Sequence, residues 1–421
     1  MAHTPEHGES SGPAAAAPAS PSADVAVIGG GLVGMAFAAA VARAGLRTVV
    51  IERGDPAEFV AAPYDGRASA IAFASQRLLD AAGLWHAMAA HAEPIVEIRV
   101  SDGASPLFLH YDHADLGEGA LGYMVENRHT REALYARARR LPDLLLLTGA
   151  TVETVDPGEG QASVRLADGR RIDAALLVGA DGVRSRTREG AGIKTYGWTY
   201  HQTGIVCTVH HQRPHNGVAH EHFLPAGPFA ILPLKGNRSS LVWTEREDLA
   251  PGMMALDDDA FLAEVAARFG DFLGTLKLEG PRWSYPLGLQ HAERYTAPRL
   301  ALIGDAAHGI HPIAGQGLNL GLRDVAALAE VLVDARRLGL DIGGAQVLSR
   351  YERWRRVDTM LMLSVTDALN RLFSNDIAPV QLARDLGLAA VNKLPSLKRF
   401  FMAHARGTVG SLPRLLRGLP L

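Results

Sequence analysis

The sequence predicts an α/β protein: a Rossmann-like domain, an inserted mainly antiparallel β-sheet domain and a C-terminal helical segment. Three observations lead there. From Asp24 to Glu52 a strand, a G-x-G-x-x-G turn, a helix and a second strand follow one another. Two later buried strands each deliver a carboxylate at a glycine-containing turn, Asp181-Gly182 and Gly304-Asp305. Between Thr195 and Trp283 helical periodicity gives way to alternating segments, the pattern of antiparallel strands.

Composition narrows the classes. With 421 residues the chain can hold two or three domains around large cores. A net charge of −3 gives no reason to expect nucleic acid as a partner. The single cysteine, Cys207, excludes an intrachain disulfide and any cysteine-built metal site, and fits a reducing compartment. No apolar run approaches the roughly 20 residues needed to span a bilayer. Residues 1–22, rich in Ala, Pro, Ser and Gly, read as a disordered tail without a signal-peptide pattern, so a cytoplasmic protein is expected.

Each element of the first domain has a task. Val25–Ile28 is a short buried strand, and the helix after Gly34 runs to about Ala44, where Gly45 breaks it. Gly29 makes the tight turn, Gly31 lets backbone approach a pyrophosphate, and Gly34 lets helix and strand pack closely. Glu52, ending the second strand, can accept from ribose hydroxyls and disfavours a 2′-phosphate. Arg67, in the loop Asp65-Gly-Arg67, either pairs with a phosphate or is a solvated surface arginine. Residues 75–90 read as a helix, and 96–100 with 107–111 as a hairpin around Asp102-Gly103. A strand ends at Gly122–Arg128, and Thr130 is a plausible N-cap for the helix 130–140. Asn127, Arg128 and Arg131 sit at that junction, either within reach of a ligand or on a plain helix surface. Strands 151–155 and 163–166 follow, then the buried strand 172–179 that leads to Asp181.

In the inserted region the segments 204–210, 219–224, 229–234 and 239–244 read as strands, and Asp258–Phe269 as a helix. The stretch Leu302–Asp324 then sets Asp305 at a sharp turn and opens a helix near Gly317. Its carboxylate can accept from sugar or ribityl hydroxyls, and Gly315-Gln316-Gly317 leaves room for a flat ring against a helix N-terminus. The chain is helical afterwards, over 325–338 and 347–373. From Leu386 onward there is no acid, but Lys393, Lys398, Arg399, Arg406, Arg414 and Arg417 lie among apolar residues. Such a tail can meet an anionic membrane surface or pack on the body with a basic outer face.

The G-x-G-x-x-G with Glu52, the Asp181-Gly182 segment and Gly304-Asp305, in this order, resemble the single-component aromatic flavoprotein monooxygenases of the para-hydroxybenzoate hydroxylase fold. Finer motifs resemble the ubiquinone-biosynthesis hydroxylases of the 2-octaprenyl-6-methoxyphenol hydroxylase type. They are Leu121–Asn127, Gly227–Pro233, Ser240–Thr244, His311–Asn319 and Tyr351–Arg355. The resemblance covers about residues 24–410. It implies an FAD-binding domain over 23–93, 120–194 and 284–372, a substrate domain over 94–119 and 195–283, and the helical, basic and apolar segment 373–421. FAD would be resident, NAD(P)H a visiting reductant and O₂ a co-substrate. Gly29, Gly31, Gly34 and Glu52 would hold the ADP part, Arg67 and Asn127 would flank the phosphates and ribityl chain, and Arg53 and Arg131 are further cofactor-binding candidates. Asp181, Gly182, Gly304 and Asp305 would lie near FAD, and Pro312, Gly315, Gln316, Gly317, Leu318 and Asn319 would border the flavin.

The implied reaction is hydroxylation of a polyprenylated phenol on the route to ubiquinone through a flavin C4a-hydroperoxide, with the cofactor carrying the chemistry. The protein must place the ring, exclude water and stabilise the phenolate. Candidate residues for that work are His222, Pro233 and Trp243 in the inserted sheet, and His311 and Pro312 beside the flavin loop. His308 and His311 lack a third partner for a metal. A soluble aromatic or polyketide substrate, an isoprenoid reductase and a non-catalytic flavin- or lipid-binding subunit are the alternatives. Peripheral membrane contact and a complex with other biosynthetic proteins are further expectations.

Overall fold

Val25–Ile28 is apolar on both faces, a pattern that suits a strand covered on each side. In the computed structural model, which describes residues 22–55, 58, 66–103, 108–117, 119–310, 315–374 and 394–421, this strand is central. β1 (Ser22–Ile28) pairs in parallel with β2 (Thr48–Ile51) on one side and with β11 (Arg171–Gly179) on the other. Val25 and Val27 face helices, chiefly α1 (Leu32–Arg43) and the long helix Gln316–Arg337. Ala26 and Ile28 face the antiparallel pair β9 (Val152–Asp156) and β10 (Ala162–Leu166). The short parallel strand β18 (Leu300–Leu302) adds to β11 and delivers Asp305 at the same sheet end as Gly29 and Asp181.

A second, eight-stranded sheet carries the inserted chain. Its order is the two-residue edge strand His308–Gly309, then β16 (Leu276–Ala292), β12 (Thr195–His211), β15 (Arg238–Arg246), β14 (Gly227–Leu234), β13 (Val218–Leu224), β5 (Glu97–Asp102) and β6 (Phe108–Asp112). The helix Asp258–Phe269, capped by the Asp257 carboxylate on the Ala260 N–H at 2.8 Å, covers one face. Phe261, Phe229 and Trp243 fill that seam. The other face is turned toward the turns at the end of the parallel sheet.

Two sequence expectations change. The helix expected from Thr130 begins at Asn127, so Thr130 is inside it and buried rather than capping it. The expected helix 75–90 is Phe73–Ala81 followed by the short turn Trp85–Met88, with Gly83 at φ 73° between them. Residues 1–21 of the Ala/Pro/Ser-rich tail lie outside the described residues, as does Lys393. The described part of the C-terminal segment docks on the body: Met402 and Leu416 are buried, Arg414 pairs with Glu330 and Asp334, and Lys398 pairs with Asp115. Leu397, Phe400 and Phe401 stay exposed. No helix among the described residues is long and apolar enough to cross a membrane.

Candidate functional site

A cavity of about 1070 Å³ lies between the parallel-sheet turns and the eight-stranded sheet. Gly31, Arg67, Asn127, Gly182, Asp305, Gly315, Gly317 and Leu318 are all on its wall. The turns that the sequence spreads over nearly 300 positions therefore meet at one place. Gly29 has φ 107°, and a Cβ there would sit 2.4 Å from the carbonyl oxygen of Ala180. A Cβ at Gly34 would lie 2.1 Å from the Gly29 carbonyl oxygen, so helix and turn are in contact. At Gly31 a Cβ would meet nothing within 4 Å, which leaves the first turn of α1 bare toward the cavity. That helix and the one starting at Gln316 have no side-chain cap and no acid in the first turn, so both present positive helix ends.

Glu52 stands behind this wall. Its oxygens accept the Gly30 N–H at 2.6 Å and the Gly54 N–H at 2.8 Å, leaving each with a further lone pair. Tyr135 completes the support: its hydroxyl donates to the Gly30 carbonyl at 2.8 Å. Burial, then the Glu52 charge, pushes that phenol up to about 12, so it stays a donor. Sequence reading missed Tyr135, because nothing in its spacing distinguishes it from an ordinary buried helix residue. Arg53 is exposed, and Arg131 is half-buried on the helix Asn127–Ala138. Neither is on the cavity wall. Arg67 is exposed there, its guanidinium 5.7 Å from the Trp283 ring centroid. Ser69 Oγ donates to Asn127 Oδ1 at 2.7 Å.

Asp181 does not aim at the cavity. Its carboxylate accepts from Ser185 Oγ and from the backbone N–H and hydroxyl of Thr187, both at 3.0 Å. It holds the turn, while Gly182, at φ 83°, supplies the wall. Asn319 also works from behind: its Oδ1 accepts the Ala72 N–H at 2.8 Å, and its Nδ2 donates to Ala70 and Gly315 carbonyls. That ties Gly315 to the strand Ala68–Ala72. Gln316 lies off the cavity wall.

Asp305 opens onto the cavity. Loss of solvent inside these walls raises its carboxyl, His308 opposes that, and Asp324 reinforces it. Beneath it Gly304 has φ 59° and donates its N–H to Asp324 Oδ2 at 2.9 Å. Asp324 is a fully buried hub that also bonds His308 Nε2 at 2.6 Å and Arg355 Nε at 2.7 Å. Burial alone would raise its carboxyl, but His308 and Arg355 outweigh that and hold it below the usual range. His311 and Pro312 lie outside the described residues.

The sheet side of the cavity corrects the sequence reading. His222, Pro233 and Trp243 are absent from the cavity wall. His222 Nδ1 bonds Ser101 Oγ and its ring stacks with His220, while Trp243 is buried against Phe229 and Phe261. Their immediate neighbours Glu221, Leu232, Val242 and Thr244 line the cavity instead. Successive strand residues point to opposite faces, so each choice was one residue out of phase. Val206 and Ala230 complete the apolar floor. Glu221 sits in it buried, and burial pushes its carboxyl up to about 7. The Thr244 hydroxyl is buried with no hydrogen-bond partner among the described residues.

Comparison with known proteins agrees with this geometry. The FAD binding domain family model matches residues 22–363. The chain is 57% identical over 402 residues to Ubiquinone hydroxylase UbiL of Rhodospirillum rubrum, covering 95% of this chain and 94% of that protein. It is 37% identical over 388 residues to 3-demethoxyubiquinol 3-hydroxylase of Escherichia coli, covering 91% and 98%. Among solved structures, p-nitrophenol 4-monooxygenase PnpA of Pseudomonas putida superposes with a TM-score of 0.78 at 22% identity, over 93% of this chain and 100% of that one, a likeness of fold.

Proposed function

Because the chain belongs to the FAD binding domain family, with the ubiquinone-biosynthesis hydroxylases as relatives, we propose that it hydroxylates the aromatic ring of a polyprenylated phenol on the route to ubiquinone. The observation that carries this reading is the shared cavity. One wall is a nucleotide cradle and the other is an apolar sheet face, and the volume exceeds the ~300–1,000 Å³ usual for one small ligand.

The residues present fit FAD. The open space at Gly31 and the bare start of α1 suit a pyrophosphate. Glu52 keeps lone pairs for ribose hydroxyls, and Asp305 faces the space a ribityl chain would cross. Gly315, left-handed at φ 62°, brings no side chain to the cavity wall it lines, which leaves room there for a ring system. Bound FAD, reduced by NAD(P)H, supplies the two-electron chemistry by which one oxygen atom of O₂ enters the ring. The chain does the rest. Val206, Ala230, Leu232 and Val242 exclude water from the ring's side of the cavity and give it an apolar seat. The helix beginning at Gln316 turns its positive end toward negative charge accumulating nearby.

Membrane contact belongs to the same reading. Leu397, Phe400 and Phe401 are exposed on the C-terminal helix Pro395–Ala405, next to basic residues, and support a docking face toward the lipid that holds such substrates. The test is direct. Purified FAD-loaded enzyme, NAD(P)H, a prenylated phenol and ¹⁸O-labelled O₂ should give a product carrying one labelled oxygen. Consumption of NAD(P)H with no labelled product from any prenylated phenol would overturn the proposal.

A further inference from the structure

Three charged side chains line the cavity among the described residues. Arg67 and Asp305 belong to the nucleotide side. Glu221 stands by itself on the sheet side. Its strand neighbours on the same face, Ala219 and Phe223, are buried in an apolar cluster, and Phe223 stacks on Phe373 with centroids 4.2 Å apart. Across the ladder its partners are Ala230 and Val100, neither of which can bond a carboxyl. No hydrogen bond or ion pair engages the Glu221 side chain among the described residues. A buried carboxyl left without a partner is costly, and a protein whose only task here was to seat an apolar molecule would gain by replacing it.

We propose that Glu221 is the proton acceptor for the phenolic hydroxyl of the substrate, holding the ring from the sheet side of the cavity. This rests on reading that cavity as the aromatic substrate's site. In the step, the phenolic O–H bond breaks with its electron pair kept on oxygen, and the proton bonds to a Glu221 carboxylate oxygen. The phenolate so formed is the more nucleophilic ring, and the proton returns to the same oxygen once the ring has been oxidised. A phenol titrates near 10 and an ordinary carboxyl near 4, a gap of about six units that makes the transfer unfavourable. Burial lifts the Glu221 carboxyl to about 7 and narrows that gap. The other titratable groups facing the cavity are Arg67, Asp305 and Tyr285. Tyr111 lies in the apolar cluster alongside, and His220 and His222 alternate to the opposite face.

The test uses FAD-loaded enzyme and a short-chain prenylated phenol, with ionisation read by ultraviolet difference spectroscopy and hydroxylation read by product. Wild type should show a phenolate band on binding and a hydroxylation rate rising through about pH 7. Glu221→Gln keeps the shape of the side chain but cannot take the proton. It should lose the phenolate band and roughly 100-fold or more in rate, with FAD content unchanged and no inflection near neutrality. Glu221→Asp should restore part of both. If Glu221→Gln forms phenolate as wild type does and hydroxylates within about three-fold of it, the acceptor assignment is wrong and the reaction stands. If wild type ionises the bound phenol, Glu221→Gln does not, and wild type hydroxylates none, the acceptor stands and the reaction is wrong.

Discussion

His308 Nε2 lies 2.6 Å from Oδ2 of Asp324, and neither side chain touches solvent. The same oxygen takes the Gly304 N–H, so one carboxylate fixes the turn that presents Asp305 to the cavity. Asp324→Ala should cost about 3–5 kcal/mol in urea unfolding, because it removes the acceptor of the buried Gly304 N–H and the carboxylate on Arg355 Nε together, leaving Arg355 only Asp358 and Thr359. FAD should be lost on dialysis before the fold is. The carboxyl is lowered in the folded state, so its contribution is complete above about pH 4 and falls away as pH drops below that value.

Gly31→Val and Gly34→Ala separate binding from folding. A side chain at 31 meets only open space, so apoprotein of Gly31→Val should unfold at the wild-type midpoint yet retain little FAD. At 34 the new methyl would overlap the Gly29 carbonyl at 2.1 Å, and soluble yield itself should fall.

Tyr135→Phe removes the donor to the Gly30 carbonyl and nothing else of its shape. The expected loss is about 1 kcal/mol of stability by thermal melting. A faster release of FAD should accompany it, since the turn that Tyr135 steadies is the one carrying Gly31.

Glu221 has a stability signature independent of turnover. Its folded carboxyl is raised to about 7, so the folded state binds the proton more tightly than the unfolded chain. Its destabilising effect is therefore absent below about pH 4, grows as pH rises and is complete above about 7. Glu221→Gln should melt higher than wild type at pH 8, by an equivalent of up to about 3 kcal/mol. At pH 4 the two should melt together.

The facing of the inserted sheet can be checked by a pair of variants. Trp243→Ala should destabilise by about 3–5 kcal/mol without changing the product formed, because its ring fills the seam under Asp258–Phe269. Val242→Trp should leave FAD content normal and block phenol binding, because its side chain would fill the cavity.

Much of the nucleotide half was legible in the chain. The turn at Gly29, the acid at Glu52 and the strand-end carboxylate Asp305 each follow from local rules: a glycine where φ must be positive, an acceptor where a strand stops. Asp181 and Asn319 show how far such rules reach. Each lies next to the cavity wall, but its polar atoms turn inward to bond backbone and hydroxyl groups. A sequence shows that a polar side chain is near a site, not which neighbour satisfies it.

What the sequence by itself determined, then, is the order of strands, turns and helices, and with it the family of fold. Only the tertiary structure decided which face of the inserted sheet meets the cavity. Both faces of β14 are apolar: Phe229 and Ile231 pack with residues of the helix Asp258–Phe269, while Pro228, Ala230 and Leu232 line the cavity. Alternation with period two then reveals that the segments are strands without revealing their phase. That phase places Glu221 in the cavity and His222 behind it, and it is set by packing between segments far apart in the chain.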